Sequence, residues 1–252
     1  MTTILAVHAH PDDIETFAAG TLAILAQRDC KIVIATMTAG ECGAILGDTA
    51  FTSEIRQGEA ATAAALIDAT YRCVGLPDLG VFNDDAARRA TTELIRWARP
   101  DIVITAPPID YHPDHEATAM LVRDGCFTAS AGAYLTGLSA PLDAIPHLYF
   151  VDPAGACTRD GAPAPAEFAV DIDAVMPIKR RMLQAHQSQV AWLKKQHEIE
   201  DITASMEAHG RRRGREFGVT FAEGFRQYRH HPYPRDPALQ VLLGDALLQP
   251  LV

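Results

Sequence analysis

Apolar runs alternate with helix-period patterns through the first half of the chain. Runs at residues 3–7, 31–37 and 71–74 are separated by patterns of helical spacing near 14–27 and 54–67. A further helix near 86–99 leads to a run at 101–105, and 114–127 returns to helical spacing. Because the runs are continuously apolar rather than alternating, each predicts a strand buried on both faces, as in a parallel sheet covered by helices. Joining parallel neighbours through helices calls for right-handed crossovers. The expected fold class is α/β: a Rossmann-like, mostly parallel sheet flanked by helices.

Beyond residue 130 the pattern weakens into glycine, alanine and proline through 131–146. Strands are expected at 147–151 and 168–172, on either side of a loop rich in proline and glycine. Ile178, Met182, Ala185 and Trp192 recur at helix spacing and predict a long helix over 173–196, with Pro177 in its first turn and Trp192 in the core. A second helix over 198–213 and an extended piece at 218–226 complete the reading. The whole chain, 1–252, is expected to form a single domain. Its Rossmann-like core, 1–130, carries the site, and the smaller C-terminal β/α portion, 131–252, supplies part of a lid from 186–213.

Polar side chains gather where two of the apolar runs end. The first run is followed by Ala9-His10-Pro11-Asp12-Asp13, and the run at 101–105 by Tyr111-His112-Pro113-Asp114-His115. Ligands of such sheets collect at the carboxyl ends of strands, and these two ends can meet only if their strands are neighbours. Each cluster alone reads as a helix start. Pro11 and Pro113 suit an early helical position, Asp12 with Glu15 imitates a capping box, and Asp114 favours the helix dipole. A cap needs no histidine, however, and together the clusters supply three histidines and three aspartates.

That set fits a hydrolytic metal site, which needs about three imidazole or carboxylate ligands and an open position for water. His10, Asp13 and His115 would supply the ligands. Asp12, beside a ligand in sequence, is the natural base for a water whose pKa the ion brings toward about 7. His112, with Asp114 two residues on, would form a charged imidazolium aimed at a developing oxyanion.

Composition narrows the alternatives. With 252 residues, 48% hydrophobic and 21% charged, the chain reads as a soluble globular protein, and its formal net charge of -10 argues against nucleic acid or an anionic membrane as partner. No apolar stretch approaches the roughly 20 residues of a bilayer span, and the N-terminus enters a strand without a basic leader, so a cytoplasmic location is expected. The five cysteines are scattered and make no C-x-x-C pair, which reads as reduced thiols; Cys30 and Cys73 are expected to be buried, while Cys42 sits in a glycine-rich loop. The turn after the first strand carries His-Ala-His-Pro-Asp-Asp where a dinucleotide-binding oxidoreductase needs G-x-G-x-x-G. The arginine cluster at 211–215 reads as solvated charge at a helix end. His8 reads as a buried, hydrogen-bonded histidine, and His197, His209, His230 and His231 as surface residues.

These motifs resemble the LmbE-like, or PIG-L-type, deacetylases, zinc-dependent enzymes that remove acetyl groups from N-acetylglucosamine-type substrates. The two histidine motifs carry the likeness, with Gly20-Thr21-Leu22-Ala23 downstream of the first. Weaker marks follow in order: Thr38-Ala39-Gly40-Glu41, Arg56 with Glu59, Leu76-Pro77-Asp78, His186-Gln187-Ser188-Gln189 and Ala222-Glu223-Gly224-Phe225. The resemblance implies one Zn2+ per chain on His10, Asp13 and His115, Asp12 as general base that also reprotonates the leaving amine, and an oxyanion held by His112 with Asp114. It also implies that Arg56 and Asp78 contact the substrate, the latter at sugar hydroxyls, and that His186 projects toward the mouth of the site. The chain departs from the family in Ile14 before Glu15, in Ala19 for a glycine, and in Asp110 where some members place a tyrosine, with Tyr111 one step later. The expected partner is a small N-acylated amino sugar, with a homo-oligomer as the assembly to test. An amidase for a non-sugar amide and a non-catalytic metal-binding protein of this fold are the other readings.

Overall fold

The computed structural model describes residues 1–43, 49–190, 192 and 201–250. Its first half runs β1 (Thr3–His8), α1 (Asp13–Phe17), α2 (Ala19–Gln27), β2 (Lys31–Thr38), α3 (Thr49–Ala65), β3 (Thr70–Leu76), α4 (Asp85–Ala98), β4 (Ile102–Thr105) and α5 (Pro113–Ala129). The second half adds β5 (His147–Val151), β6 (Phe168–Asp171), α6 (Met176–Gln184), α7 (Ile202–Phe217), β7 (Ala222–Tyr228), α8 (Ala238–Leu243) and β8 (Leu247–Leu248). All these strands join one sheet in the order β3-β2-β1-β4-β5-β7-β6-β8. The first five are mutually parallel, and β7, β6 and β8 extend them antiparallel.

Alternate strand residues feed two cores, which is why the runs read as continuously apolar. Ile4, Ala6, Ile32, Ile34, Ile102 and Ile104 face the core under α2, α3 and α6. Leu5, Val7, Val33, Ala35 and Val103 face the opposite core under α4 and α5. No helix among the described residues is long and apolar enough to cross a membrane.

Several expectations are corrected. The helix expected over 14–27 breaks at Ala18, where φ is -140°, and restarts as α2. The restart places the Gly20 and Thr21 amides on the Glu223 carboxylate at 2.9 and 2.7 Å. Gly20 is needed there, since a Cβ would stand 2.7 Å from Ile172 Cγ2. The helix expected over 173–196 is interrupted after α6 at Gln184 by a turn at Ala185 and His186, and helix resumes over 187–190; residues 191 and 193–200, with His197, lie outside the described residues. The chain also continues past the expected last strand into α8 and β8, anchored by the buried Leu239 and Leu243.

The arginine cluster is not simply solvated. Arg213 is buried, its guanidinium clasping Asp152 at 2.5 and 2.8 Å. His209 is likewise inside rather than on the surface, 3.5 Å from the same carboxylate and edge-on to Phe17. His230 and His231 are exposed as expected. All five cysteines are free, with Cys126 buried, Cys42 exposed and Cys30 and Cys73 half-buried.

Candidate active site

Strand order reverses between β1 and β4: the chain leaving β1 goes to β2 and β3 on one side, while β4 and β5 stack on the other. β1 and β4 pair directly, from Ile4 with Ile102 to Val7 with Thr105. The two histidine motifs therefore leave adjacent strands at the switch point, where loops diverge and a crevice opens. A cavity of about 490 Å³ lies there, and its lining includes His10, Asp12, Asp13, Arg56, His112 and His115.

Asp13 is the hub. Its Oδ2 accepts the His10 amide at 2.9 Å and lies 3.3 Å from His10 Nδ1 and 3.4 Å from His115 Nε2. Two atoms bound to one tetrahedral ion at about 2.0–2.1 Å stand about 3.3–3.4 Å apart, so each imidazole is spaced from Asp13 as a second ligand would be. Among the described residues, the donor sets that lie mutually within 4.8 Å are His10 with His112 and His115, His8 with Asp13 and His115, and His10 with Asp78 and Asp114. The opposite ring nitrogens face carboxylates. His10 Nε2 is 3.2 Å from Asp78 Oδ1 and 3.4 Å from Asp114 Oδ2, and His115 Nδ1 is 3.2 Å from Asp110 Oδ1. Carboxylates placed behind ligating imidazoles fix their tautomer and orientation. His8 Nδ1 also lies near Asp13 Oδ2, at 2.7 Å, but the ring is fully buried and stacked on Phe17, which leaves no open side. Burial opposes charge throughout this cluster; it prevails at His8, whereas the ion pairs prevail at Asp13, His10 and His115. Asp13 is held well below the ordinary carboxylate range by His115 and His8, while His10 is held well above the ordinary histidine range by Asp114, Asp13 and Asp78. His115 rises to about 9 against Asp13 and Asp110.

Asp12 departs from the capping role. Its backbone is left-handed, at φ 93°, and its side chain makes no cap hydrogen bond to α1. Thr16 donates to the Asp12 carbonyl from its amide and hydroxyl, at 3.0 and 2.9 Å, which secures the turn while the carboxylate is left to the cavity. Burial drives the Asp12 pKa up to about 6, against the opposing pull of Arg56. Arg56 lines the cavity, but its guanidinium donates to Gly40 O at 2.5 Å and Pro11 O at 2.8 Å and lies 3.5 Å from Asp12 Oδ2. Its contacts hold the two loops in place.

His112, conversely, is a cap. Its Nδ1 accepts the Asp114 amide at 3.2 Å at the start of α5, which leaves the proton on Nε2. Burial and the neighbouring His10 and His115 lower its pKa, which works against the expected imidazolium. The Asp114 carboxylate serves the Leu79 amide at 2.8 Å and His10, not an oxyanion partner ring. Asp78 turns to His10 and accepts the Cys42 amide at 2.8 Å. His186 is fully buried, 3.5 Å from Glu15 Oε2, and does not reach the mouth. From the same motif Gln189 does line the cavity, as does Trp192, which was expected in the core. Asp110 carries no sequence signal beyond its place five residues before His115.

Fold and site together place a cluster of imidazoles and carboxylates able to hold a metal ion at the switch point of an open α/β sheet. Residues 5–126 match the model of the PIG-L family, described as GlcNAc-PI de-N-acetylase. The chain is similar to 1D-myo-inositol 2-acetamido-2-deoxy-alpha-D-glucopyranoside deacetylase 2 of Saccharopolyspora erythraea, with 30% identity over 174 residues, 58% of this chain and 63% of that protein. The match thus spans less than two thirds of that relative. Among solved structures, the conserved protein TT1542 from Thermus thermophilus is 26% identical, with a TM-score of 0.75 over 94% of this chain and 100% of that one. N,N'-diacetylchitobiose deacetylase from Pyrococcus horikoshii shares the fold at 21% identity, with a TM-score of 0.76 over 92% of this chain and 87% of that one.

Proposed function

We propose that this chain is a metal-dependent hydrolase that removes the N-acetyl group of an amino-sugar substrate. The observation that carries the reading is the Asp13 carboxylate set between His10 Nδ1 and His115 Nε2, with the neighbouring Asp12 left uncoordinated beside it. The names of the relatives, deacetylases of acetamido sugars, support the reaction class. His10, Asp13 and His115 hold the ion, for which their mixed nitrogen and oxygen donors suit zinc. A divalent ion bound there would acidify water and polarise the acyl carbonyl.

The protein side chains do the rest. Asp12, with a proton affinity near the working range, takes the proton of the attacking water and returns it to the departing amine. His112 donates from Nε2–H to the oxyanion as the carbonyl becomes tetrahedral. Asp78, Asp114 and Asp110 position the ligand rings, and Arg56 positions the Asp12 turn against the Gly40 loop. In this reading Asp78, Asp114 and Arg56 act through their neighbours.

Asp12→Asn tests the central assignment. It removes the base while keeping size and hydrogen bonding, so metal content should be retained and acetate release from N-acetylglucosamine-containing substrates should fall by about 10²–10⁴-fold. Turnover near that of the parent protein would sink the role given to Asp12.

A further inference from the structure

The family resemblance implies a sugar contact from the loop after β3, through Asp78. The structure turns that carboxylate onto His10 and the Cys42 amide and presents the next residue instead. Leu79 takes a left-handed backbone at φ 60°, and its amide is held by Asp114 Oδ2 at 2.8 Å. Its side chain lines the cavity and is 60% exposed. Glycine or asparagine adopts this backbone more readily than a branched apolar residue, and an apolar side chain facing water gives up the benefit of burial. A strained and wetted leucine beside a reaction centre is accounted for if the ligand covers it.

Tyr111 gives the same indication from the other motif. It is 67% exposed, lines the cavity, and sets its ring edge-on to His112 and His115 at 5.7 Å between centroids. The charged groups of the described lining belong to the reaction centre: Asp12, Asp13 and Asp78 with their histidines, and Arg56, whose guanidinium is engaged by Gly40 O and Pro11 O. This balance disfavours an anionic group next to Leu79. The cavity, at about 490 Å³, falls within the range of about 300–1,000 Å³ that holds a whole small-molecule ligand rather than an acetamido group alone.

We propose that the substrate is an N-acylated amino sugar bearing an apolar substituent, which packs against Leu79 and Tyr111. The proposal rests on the deacetylase reading above and adds the substrate class. The substituent can be an aglycone or an acyl chain longer than acetyl, and the chemistry of recognition is the same for both.

The test uses the full chain loaded with zinc and measures amine release from four probes: N-acetylglucosamine, its benzyl glycoside, N-octanoylglucosamine, and the N-acetylglucosaminyl conjugate of malate. The benzyl glycoside or the octanoyl amide should exceed N-acetylglucosamine in kcat/KM by about tenfold or more, the scale on which a hydrophobic contact discriminates, and the malate conjugate should not. Whichever of the two wins identifies the source of the apolar group. Leu79→Asn suits the left-handed backbone, so its melting temperature should match that of the parent protein while the preference ratio falls toward one; Tyr111→Ser should lower the ratio as well. A ratio near one in the parent protein, a preference for malate, or a ratio untouched by both variants would overturn the substrate class. Equal release from all four probes overturns this inference alone, whereas release from none overturns the deacetylase reading together with it.

Discussion

At Asp12 one backbone angle decides the chemistry. A capping aspartate would point its carboxylate at the first-turn amides of α1, where ionisation is favoured and the pKa low. With φ at 93° the side chain leaves the helix end, and burial then raises its pKa to about 6 while Arg56, 3.5 Å away, keeps the ionised form accessible. The sign of the pH dependence follows from the role. In the proposed role the ionised carboxylate is the base, so kcat/KM should be level above the Asp12 pKa and fall about tenfold per pH unit below it. A bound divalent cation adds positive charge nearby and moves that limb down, so its apparent pKa should lie below about 6 in the loaded protein. A pH–rate profile measures it, and a limb centred well above 6 would assign the titration to another group.

Between elements, the decisive contact is made by Glu223 of β7. Its carboxylate accepts the Gly20 and Thr21 amides and the Thr21 hydroxyl at the start of α2, and it pairs with the buried Lys179 of α6, which also donates to Thr16 O at 2.8 Å. Glu223→Ala would leave an ammonium and two helix-end amides buried without their partner, at a cost of about 3–5 kcal/mol. Adding Lys179→Met should recover part of that in urea unfolding; no recovery would mean that the amides, not the ion pair, dominate. This contact explains why Gly20-Thr21 and Ala222-Glu223 both read as family marks: about two hundred residues apart in sequence, they are one interaction. Arg56 with Glu59 is similar, since Arg56 grips Gly40 and Glu59 accepts the Ser188 amide and hydroxyl. The parallel strands were legible because burial on both faces leaves an unbroken apolar run, and the histidine motifs because they end two such runs. The break at Ala18 was not, since the flanking residues stay buried across it and the apolar period gives no warning. Nor could spacing tell which nitrogen of His10 faces Asp78, that Asp110 backs His115, or that the turn at Ala185 sends His186 inward and Gln189 to the cavity.

In the whole molecule the metal-capable cluster ties the centre of the sheet together. His10 and Asp13 follow β1, His115 follows β4, and the full set of donors assembles only when those strands are paired. The unfolded chain has no equivalent arrangement, so a metal ion that binds the cluster stabilises the native state by mass action. At about a hundred times its dissociation constant that linkage is worth about 2.7 kcal/mol. For a protein of this size the midpoint of thermal unfolding should then rise by roughly 5–10 °C. The protein should melt higher with zinc than after chelation, and returning zinc to the stripped protein should restore the higher midpoint. Asp13→Ala removes the hub contacted by both imidazoles, so its midpoint should not respond to zinc, even though it also loses the pairing that holds His10 and His115 in charged form. Asp12→Asn should still respond, because the proposed function gives Asp12 the proton and not the ion. If both variants lost the zinc shift, the division of labour between these adjacent aspartates would be wrong, and if neither did, the ion would be bound elsewhere.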